Sequence, residues 1–306
     1  MHLSQPQKKR IGLFLNKIWS SILFPLSFCI CLILVLILLR VFFIDQFVIP
    51  SNSMAPTLIK GDRVWVNKTL FGARIYQNLD SINSSTLYSW RTRGLRDIKR
   101  NDIIVFNYPL NKKQISFKIN YTYIKRCIAL PGDSIWAQNG YYKNSRYDQP
   151  LGYIPAQDEL NQFDETNIPE KVKYTIPRSF EEYPWTIKNF GPIYVPRKGD
   201  VMMLTPESLL FYSEILEFET NKEIELSTSG QVLANKEPIK YHIFKNNYYF
   251  SAGDNILDSR DSRYWGFIPE SYIVGIATLI PYSIKDNTNQ IRWNRLFKRL
   301  SYNEMN

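Results

Sequence analysis

Twenty-two consecutive residues without a charge, Ile18 to Leu39 (IWSSILFPLSFCICLILVLILL), set the first condition that any fold of this chain must meet. At about 1.5 Å of rise per residue the run makes a helix about 33 Å long, enough to cross a hydrocarbon core of roughly 30 Å. A core helix rarely runs beyond about 14 residues without a polar face. A cleaved leader has an apolar stretch of about 7–15 residues that ends in a small-x-small site. Here the run passes into Arg40-Val41-Phe42-Phe43-Ile44, which offers no such site. The expectation is an anchor over residues 18–44. Lys8, Lys9, Arg10 and Lys17 precede it, and clustered basic residues stay on the cytoplasmic side. Residues 1–17 are therefore expected in the cytoplasm and everything after Ile44 outside.

The formal net charge of the 306-residue chain is +10, a balance that suits nucleic acid or an anionic surface. No nucleic-acid motif accompanies it, so beside an anchor the expected partner is membrane lipid and not nucleic acid. Cys29 and Cys31 fall inside the apolar run and Cys127 stands alone beyond it. That excludes an intramolecular disulfide in the external part, and no Cys/His cluster suits zinc, so neither metal nor cofactor is expected.

Past the anchor the chain reads as strands. Val64-Trp65-Val66, Ile103 to Phe106, Tyr123 to Leu130 and Ile273 to Ile280 are rich in β-branched and aromatic residues between turn signals. Gly-Asp recurs at Gly61-Asp62, Gly132-Asp133, Gly199-Asp200 and Gly253-Asp254. Glycine supplies a positive φ and aspartate bonds the backbone, so each pair marks a tight turn. The polar stretch from Ile75 to Arg100 is expected as an exposed loop, and an amphipathic helix over Pro206 to Phe218.

Directly after the anchor stands Phe47-Val48-Ile49-Pro50-Ser51-Asn52-Ser53-Met54-Ala55-Pro56-Thr57-Leu58. Two serines between prolines suit a plain loop as well as a nucleophile. Of the two histidines, His2 precedes the anchor and His242 lies in a Lys- and Tyr-rich stretch, which leaves a Ser-His-Asp triad without support. Lysine can act as base where burial lowers its pKa, and Lys125 stands in the apolar strand Tyr-Thr-Tyr-Ile-Lys-Arg-Cys-Ile-Ala-Leu. An outward-facing lysine fits the same string.

The block Phe47 to Leu58 resembles the nucleophile motif of bacterial type I signal peptidases. Gly61 to Lys68, Arg100 to Phe106, Ile124 to Asp133, and Gly253-Asp254-Asn255 through Asp261-Ser262-Arg263-Tyr264-Trp265-Gly266 are similar to that family's further blocks, in family order. The resemblance implies a mainly β fold of coiled antiparallel sheets behind a transmembrane helix, sited on the outer face of the bacterial plasma (inner) membrane as a single-pass protein. It implies Ser53 as nucleophile and Lys125 as general base. Ser51 and the Ser53 N–H would hold the oxyanion and Ser259 would orient the lysine. Asp261 and Arg263 match a structural ion pair, and Phe47, Ile49, Pro50, Leu58, Tyr123 and Ile124 match the lining of shallow apolar subsites. The implied partners are secretory preproteins cut after Ala-x-Ala. Where the family carries Arg after Gly-Asp-Asn this chain has Ile256, and Ser251-Ala252 replaces its usual apolar pair.

The division that follows is a catalytic β domain over 45–136 and 241–285, a β-rich insertion or second lobe over 137–240, and a basic C-terminal tail over 286–306. In the tail, Trp293, Leu296, Phe297 and Leu300 recur at helical spacing among Arg292, Arg295, Lys298 and Arg299. The expectation is an amphipathic helix that lies on the membrane or docks on the catalytic domain.

Overall fold

The computed structural model describes Lys17 and residues 19–77, 87–111, 114–176, 185–285 and 288–300. His2, Lys8, Lys9 and Arg10 lie outside the described residues. A π-helical turn, Trp19–Leu23, runs into helix α1, Phe24–Phe42. No residue of α1 is buried against protein. An apolar cylinder about 28 Å long with bare sides needs lipid around it, and the chain is membrane-anchored through this helix. The helix closes at Phe42, so Ile44 opens the first strand and does not end the anchor.

Strands β1 (Ile44–Val48), β2 (Arg63–Asn67), β3 (Arg74–Tyr76), β4 (Ser89–Arg91), β5 (Ile103–Asn107) and β6 (Thr122–Ala129) follow. After them come β7 (Ser134–Gln138), β8 (Tyr141–Asn144), helix α2 (Ile154–Gln162), β9 (Phe190–Tyr194), β10 (Val201–Met203), helix α3 (Pro206–Thr220) and β11 (Tyr241–Ile243). The chain closes with β12 (Tyr248–Ala252), β13 (Ile268–Pro269), β14 (Ile273–Ile280) and β15 (Lys298–Arg299). One antiparallel sheet organises the molecule, in the order β1-β2-β14-β5-β6-β12-β13, with β15 added to β14. Irregular register within β14 and β12 bends and twists the strands, as bulges do, and the sheet curls into a half-barrel.

Period-two alternation puts both faces of β5, at the middle of the sheet, into apolar cores. Every residue of β5 is buried. Ile103 and Val105 join a core with Val64, Val66, Val274, Met54 and Leu58, while Ile104 and Phe106 join another with Cys127, Ile273, Ile276 and Tyr272. The segment between β1 and β2 is thus packed onto the first face, and its placement is fixed by core burial. The 137–240 region carries helices as well as strands, and its Leu160, Ile187, Phe190 and Ile215 share one apolar cluster with Ile128, Ala129, Phe250 and Ala252 of the main sheet. The expected helix over 206–218 forms and extends to Thr220, capped by Thr205 and closed by Asn221 in the left-handed region.

Three of the four Gly-Asp pairs build the same turn. Gly61, Gly132 and Gly199 take φ near +90°, and Asp62, Asp133 and Asp200 each accept the backbone N–H of the residue three positions earlier. The fourth, Gly253-Asp254, does something else, described below.

Two expectations need correction. The stretch from Ile75 to Arg100, expected as an exposed loop, is partly paired among its described residues. β3 pairs with β4, which sets Arg74 opposite Arg91, although residues 78–86 lie outside the described residues. The tail does not form an amphipathic helix. Trp293–Arg295 makes one 3-10 turn, Phe297 takes φ +52°, and Lys298–Arg299 pairs with β14. Arg295, expected on a solvated helical face, is buried instead and holds Asp62 through Nε at 2.9 Å and Nη2 at 2.5 Å. A buried carboxylate outcompetes local helical spacing because it would otherwise stand unpaired.

Candidate active site

The segment from Ile49 to Asp62 is a loop pinned at both ends and in its middle. The Ile49 N–H donates to the Asp62 carbonyl and the Gly61 N–H to the Ile49 carbonyl, both at 2.9 Å. Met54 and Leu58 are buried at 1 % and 0 % exposure. Asn52 Oδ1 accepts the Lys60 N–H at 2.9 Å, and the Ser53 carbonyl accepts the Asn255 N–H at 3.2 Å. These bonds leave Ser53 half-buried, with its hydroxyl facing β6.

There it meets Lys125. The Nζ lies 2.7 Å from Ser53 Oγ and 3.0 Å from the Ile124 carbonyl, although the two residues stand 72 positions apart in the chain. Lys125 is 3 % exposed. Burial lowers its pKa from the ordinary 10.5 to about 8, the nearby Asp261 and Asp254 opposing the shift and Arg263 adding to it. The Tyr123 ring centroid lies 5.6 Å from Nζ. Ser51 is exposed, and its hydroxyl stands 3.4 Å from Ser53 Oγ.

Two buried ion pairs frame these groups. Arg126 grips Asp254 bidentately, Nε to Oδ1 at 2.7 Å and Nη2 to Oδ2 at 2.6 Å, and Thr57 Oγ1 donates to the same carboxylate at 2.5 Å. Arg263 holds Asp261 at 2.8 and 2.7 Å, and Asp261 also accepts the Gly253 N–H at 2.8 Å and the Ser259 hydroxyl at 2.7 Å. Arg263 and these donors keep the Asp261 carboxyl below the usual carboxylate range against the effect of burial. The first pair ties β6 to the Ile49–Asp62 loop through Thr57, and the second ties Gly253 to Ser259. Gly253 is where backbones touch. A Cβ there would stand 2.1 Å from Ser259 Oγ and 2.4 Å from the Ser53 carbonyl oxygen.

Several sequence expectations change in this light. Ser259 lies beside Ser53, and its hydroxyl donates to Asp261, while the Lys125 amine bonds Ser53 Oγ and the Ile124 carbonyl. Leu58 is wholly buried in the core beneath the loop and does not line an open subsite. Ile49 is also largely buried, whereas Phe47, Tyr123 and Ile124 are partly exposed and Pro50 is exposed. Ile256 is buried in the apolar cluster that joins the sheet to the 137–240 region, so an apolar side chain suits its site, and Arg260 is exposed and does not replace a charge there. Sequence reasoning missed the roles of Arg126, Thr57, Gly253 and Arg295. Arg126 alone carried a signal, a guanidinium embedded in an apolar strand, which demands a buried acid.

The profile of the family described as signal peptidase, peptidase S26, matches residues 22–282. The chain is 29% identical over 279 residues to "Signal peptidase I" of Buchnera aphidicola subsp. Schizaphis graminum (strain Sg), covering 88% of this chain and 76% of that protein. It is 31% identical over 272 residues to "Signal peptidase I" of Buchnera aphidicola subsp. Acyrthosiphon pisum (strain APS), covering 86% and 77%. Among solved structures, a signal peptidase I from Enterococcus faecalis V583 aligns with TM-score 0.29 and 17% identity, over 59% of this chain and 96% of that one. The family and its members define the class: this is a serine peptidase, a hydrolase. More narrowly, the chain belongs to the signal peptidase family, peptidase S26.

Proposed function

We propose that this membrane-anchored peptidase removes N-terminal signal peptides from exported preproteins, cutting after small residues through an acyl-enzyme on Ser53 with Lys125 as general base. The observation that carries the reading is the 2.7 Å approach of a buried lysine amine to the serine hydroxyl. At pH 7 a lysine with pKa near 8 is neutral in about a tenth of molecules. In that form Nζ takes the Ser53 proton as Oγ bonds to the scissile carbonyl carbon. The resulting ammonium returns the proton to the leaving amine as the C–N bond breaks. Water then attacks the ester, Lys125 again serving as base, and Ser53 regains its hydroxyl.

The oxyanion would be held by the Ser53 N–H and the Ser51 hydroxyl, donors whose loss typically slows such enzymes by ~10²–10³. The substrate has a place to lie. β12 pairs with β6 only along residues 126–129, so beside Thr122–Lys125 one edge of β6 is open, and β1 ends the sheet on one side. An extended peptide added there would meet Phe47, Pro50, Tyr123 and Ile124, and shallow apolar contacts of this kind favour small side chains. The same reading places residues 1–17 in the cytoplasm and the catalytic domain on the outer face of a bacterial plasma membrane, spanned once, because basic residues precede α1.

The test is cleavage of one secretory precursor by the detergent-solubilised full chain. Ser53→Ala and Lys125→Ala should each abolish cleavage, and the double variant should lose no more than either, since nucleophile and base act as a unit. Near-full activity in Lys125→Ala would remove the assignment.

A further inference from the structure

The β3–β4 hairpin sets Arg74 directly opposite Arg91, a like-charge pair that antiparallel strands normally avoid. Both are partly buried. Arg74 donates to the Ser271 and Tyr272 carbonyls at 3.1 Å, and to the Tyr76 hydroxyl and Asn107 Oδ1 at 2.7 Å. Arg91 donates to the carbonyls of Gly72, Ile273 and Glu270. Every hydrogen-bond acceptor is neutral, so neither guanidinium is paired directly with a carboxylate, although the charge of Glu270 acts on Arg91 from nearby. Burial lowers both pKa values, and for Arg91, brought down to about 10, the next cause is Arg74 itself.

Arg74 lines a cleft of about 280 Å³ together with Arg40, Lys68, Asp45, Asn120 and Thr122. Three cations there face one carboxylate. Asp45 is already engaged, accepting Lys68 Nζ at 3.1 Å and Arg40 Nε at 3.2 Å. Lys68 Nζ also donates to the Arg40 carbonyl at 2.8 Å, which ties the cleft to the last turn of α1. One helical turn is about 5.4 Å, so the cleft opens where the anchor leaves the hydrocarbon, at headgroup depth.

We propose that this cleft binds the phosphate of an anionic phospholipid headgroup, with Arg40, Lys68 and Arg74 supplying the charge and Asn120 and Thr122 supplying neutral donors. Phe47 lines the same cleft, so an occupied site steadies β1 at the membrane end of the substrate's path and sets the height of the catalytic domain. The inference rests on the membrane placement of α1 and is independent of the Ser53–Lys125 chemistry.

The experiment titrates the full chain in non-ionic detergent with short-chain phosphatidylglycerol, short-chain phosphatidylcholine and inorganic phosphate, read as thermal shift. The expected result is a saturable rise in Tm with phosphatidylglycerol, reduced by added salt and equal in wild type and Ser53→Ala. Arg40→Gln, at a mostly exposed side chain, and Lys68→Gln should each weaken binding about fivefold. Asp45→Asn should tighten it, and Lys285→Gln, at an exposed position elsewhere, should leave it unchanged. Equal shifts with phosphatidylcholine, saturation by inorganic phosphate alone, or wild-type binding in both Arg40→Gln and Lys68→Gln would overturn the proposal.

Discussion

Two groups of buried or partly buried arginines solve the same problem in opposite ways. Around Ser53 and Lys125, Arg126 and Arg263 are 1 % and 0 % exposed, and each is matched bidentately by an aspartate. At the membrane end, Arg74 and Arg91 are only partly buried and are held by carbonyls, a hydroxyl and an amide oxygen. A fully buried cation cannot wait for a counter-ion from outside, so the fold supplies one and spends it on rigidity. A cation at the wall of a cleft can be left short of charge, and the shortfall becomes affinity. The first arrangement makes a frame that keeps Ser53 and Lys125 in register, and the second makes a surface that attracts an anion.

The comparison breaks most visibly at its aspartates. Asp254→Ala leaves Arg126 buried without its carboxylate and should destabilise the fold by about 3–5 kcal/mol, the usual cost of breaking a buried pair, read by chemical denaturation in detergent. A loss below about 1 kcal/mol would mean that water reaches Arg126 and the frame is not rigid. The next effect has the opposite sign. Lys125→Met should abolish cleavage yet stabilise the fold at pH 7 by up to about 3 kcal/mol, because a lysine moved from 10.5 to about 8 carries its charge in the folded state at that cost. Below pH 8 the cost is complete. Between pH 8 and 10.5 the folded amine is neutral while the unfolded one is still protonated, so wild-type stability rises and the advantage of the methionine variant should shrink. A constant advantage across that window would contradict the depressed pKa.

The smallest effect is expected at the hairpin. Arg74→Met removes one member of a repelling pair along with several neutral hydrogen bonds, and the two changes nearly offset. Stability in lipid-free detergent should therefore shift by less than about 1 kcal/mol. A loss comparable to that of Asp254→Ala would make Arg74 part of the rigid frame and erase the contrast.

What the sequence could and could not show follows the same division. Strands β2, β5, β6 and β14 were legible because runs of β-branched and aromatic residues between turn signals are a local signal, as was the amphipathic spacing of helix α3. The serine and lysine blocks were legible as motifs, but their meeting depends on the pairing β1-β2-β14-β5-β6, which no local pattern encodes. Arg295 misled for the same reason. Its helical spacing is local, whereas its partner Asp62 lies 233 positions away. The bond from the Ser259 hydroxyl to Asp261 was not legible, because a motif names its residues without saying which way a hydroxyl points. Arg91 looked solvated because it stands in the polar stretch from Ile75 to Arg100, and its acceptors are backbone carbonyls, which carry no sequence identity.

The claim at the centre is that the neutral form of Lys125, brought within reach by burial, activates Ser53. Its most direct test is the single-turnover rate of precursor cleavage by the wild-type chain between pH 5.5 and 10. The rate should climb about tenfold per pH unit at the acid end and level off above an apparent pKa near 8, the value that burial gives the Lys125 amine. A rate flat across that range, with bond cleavage still limiting, would contradict a lysine base.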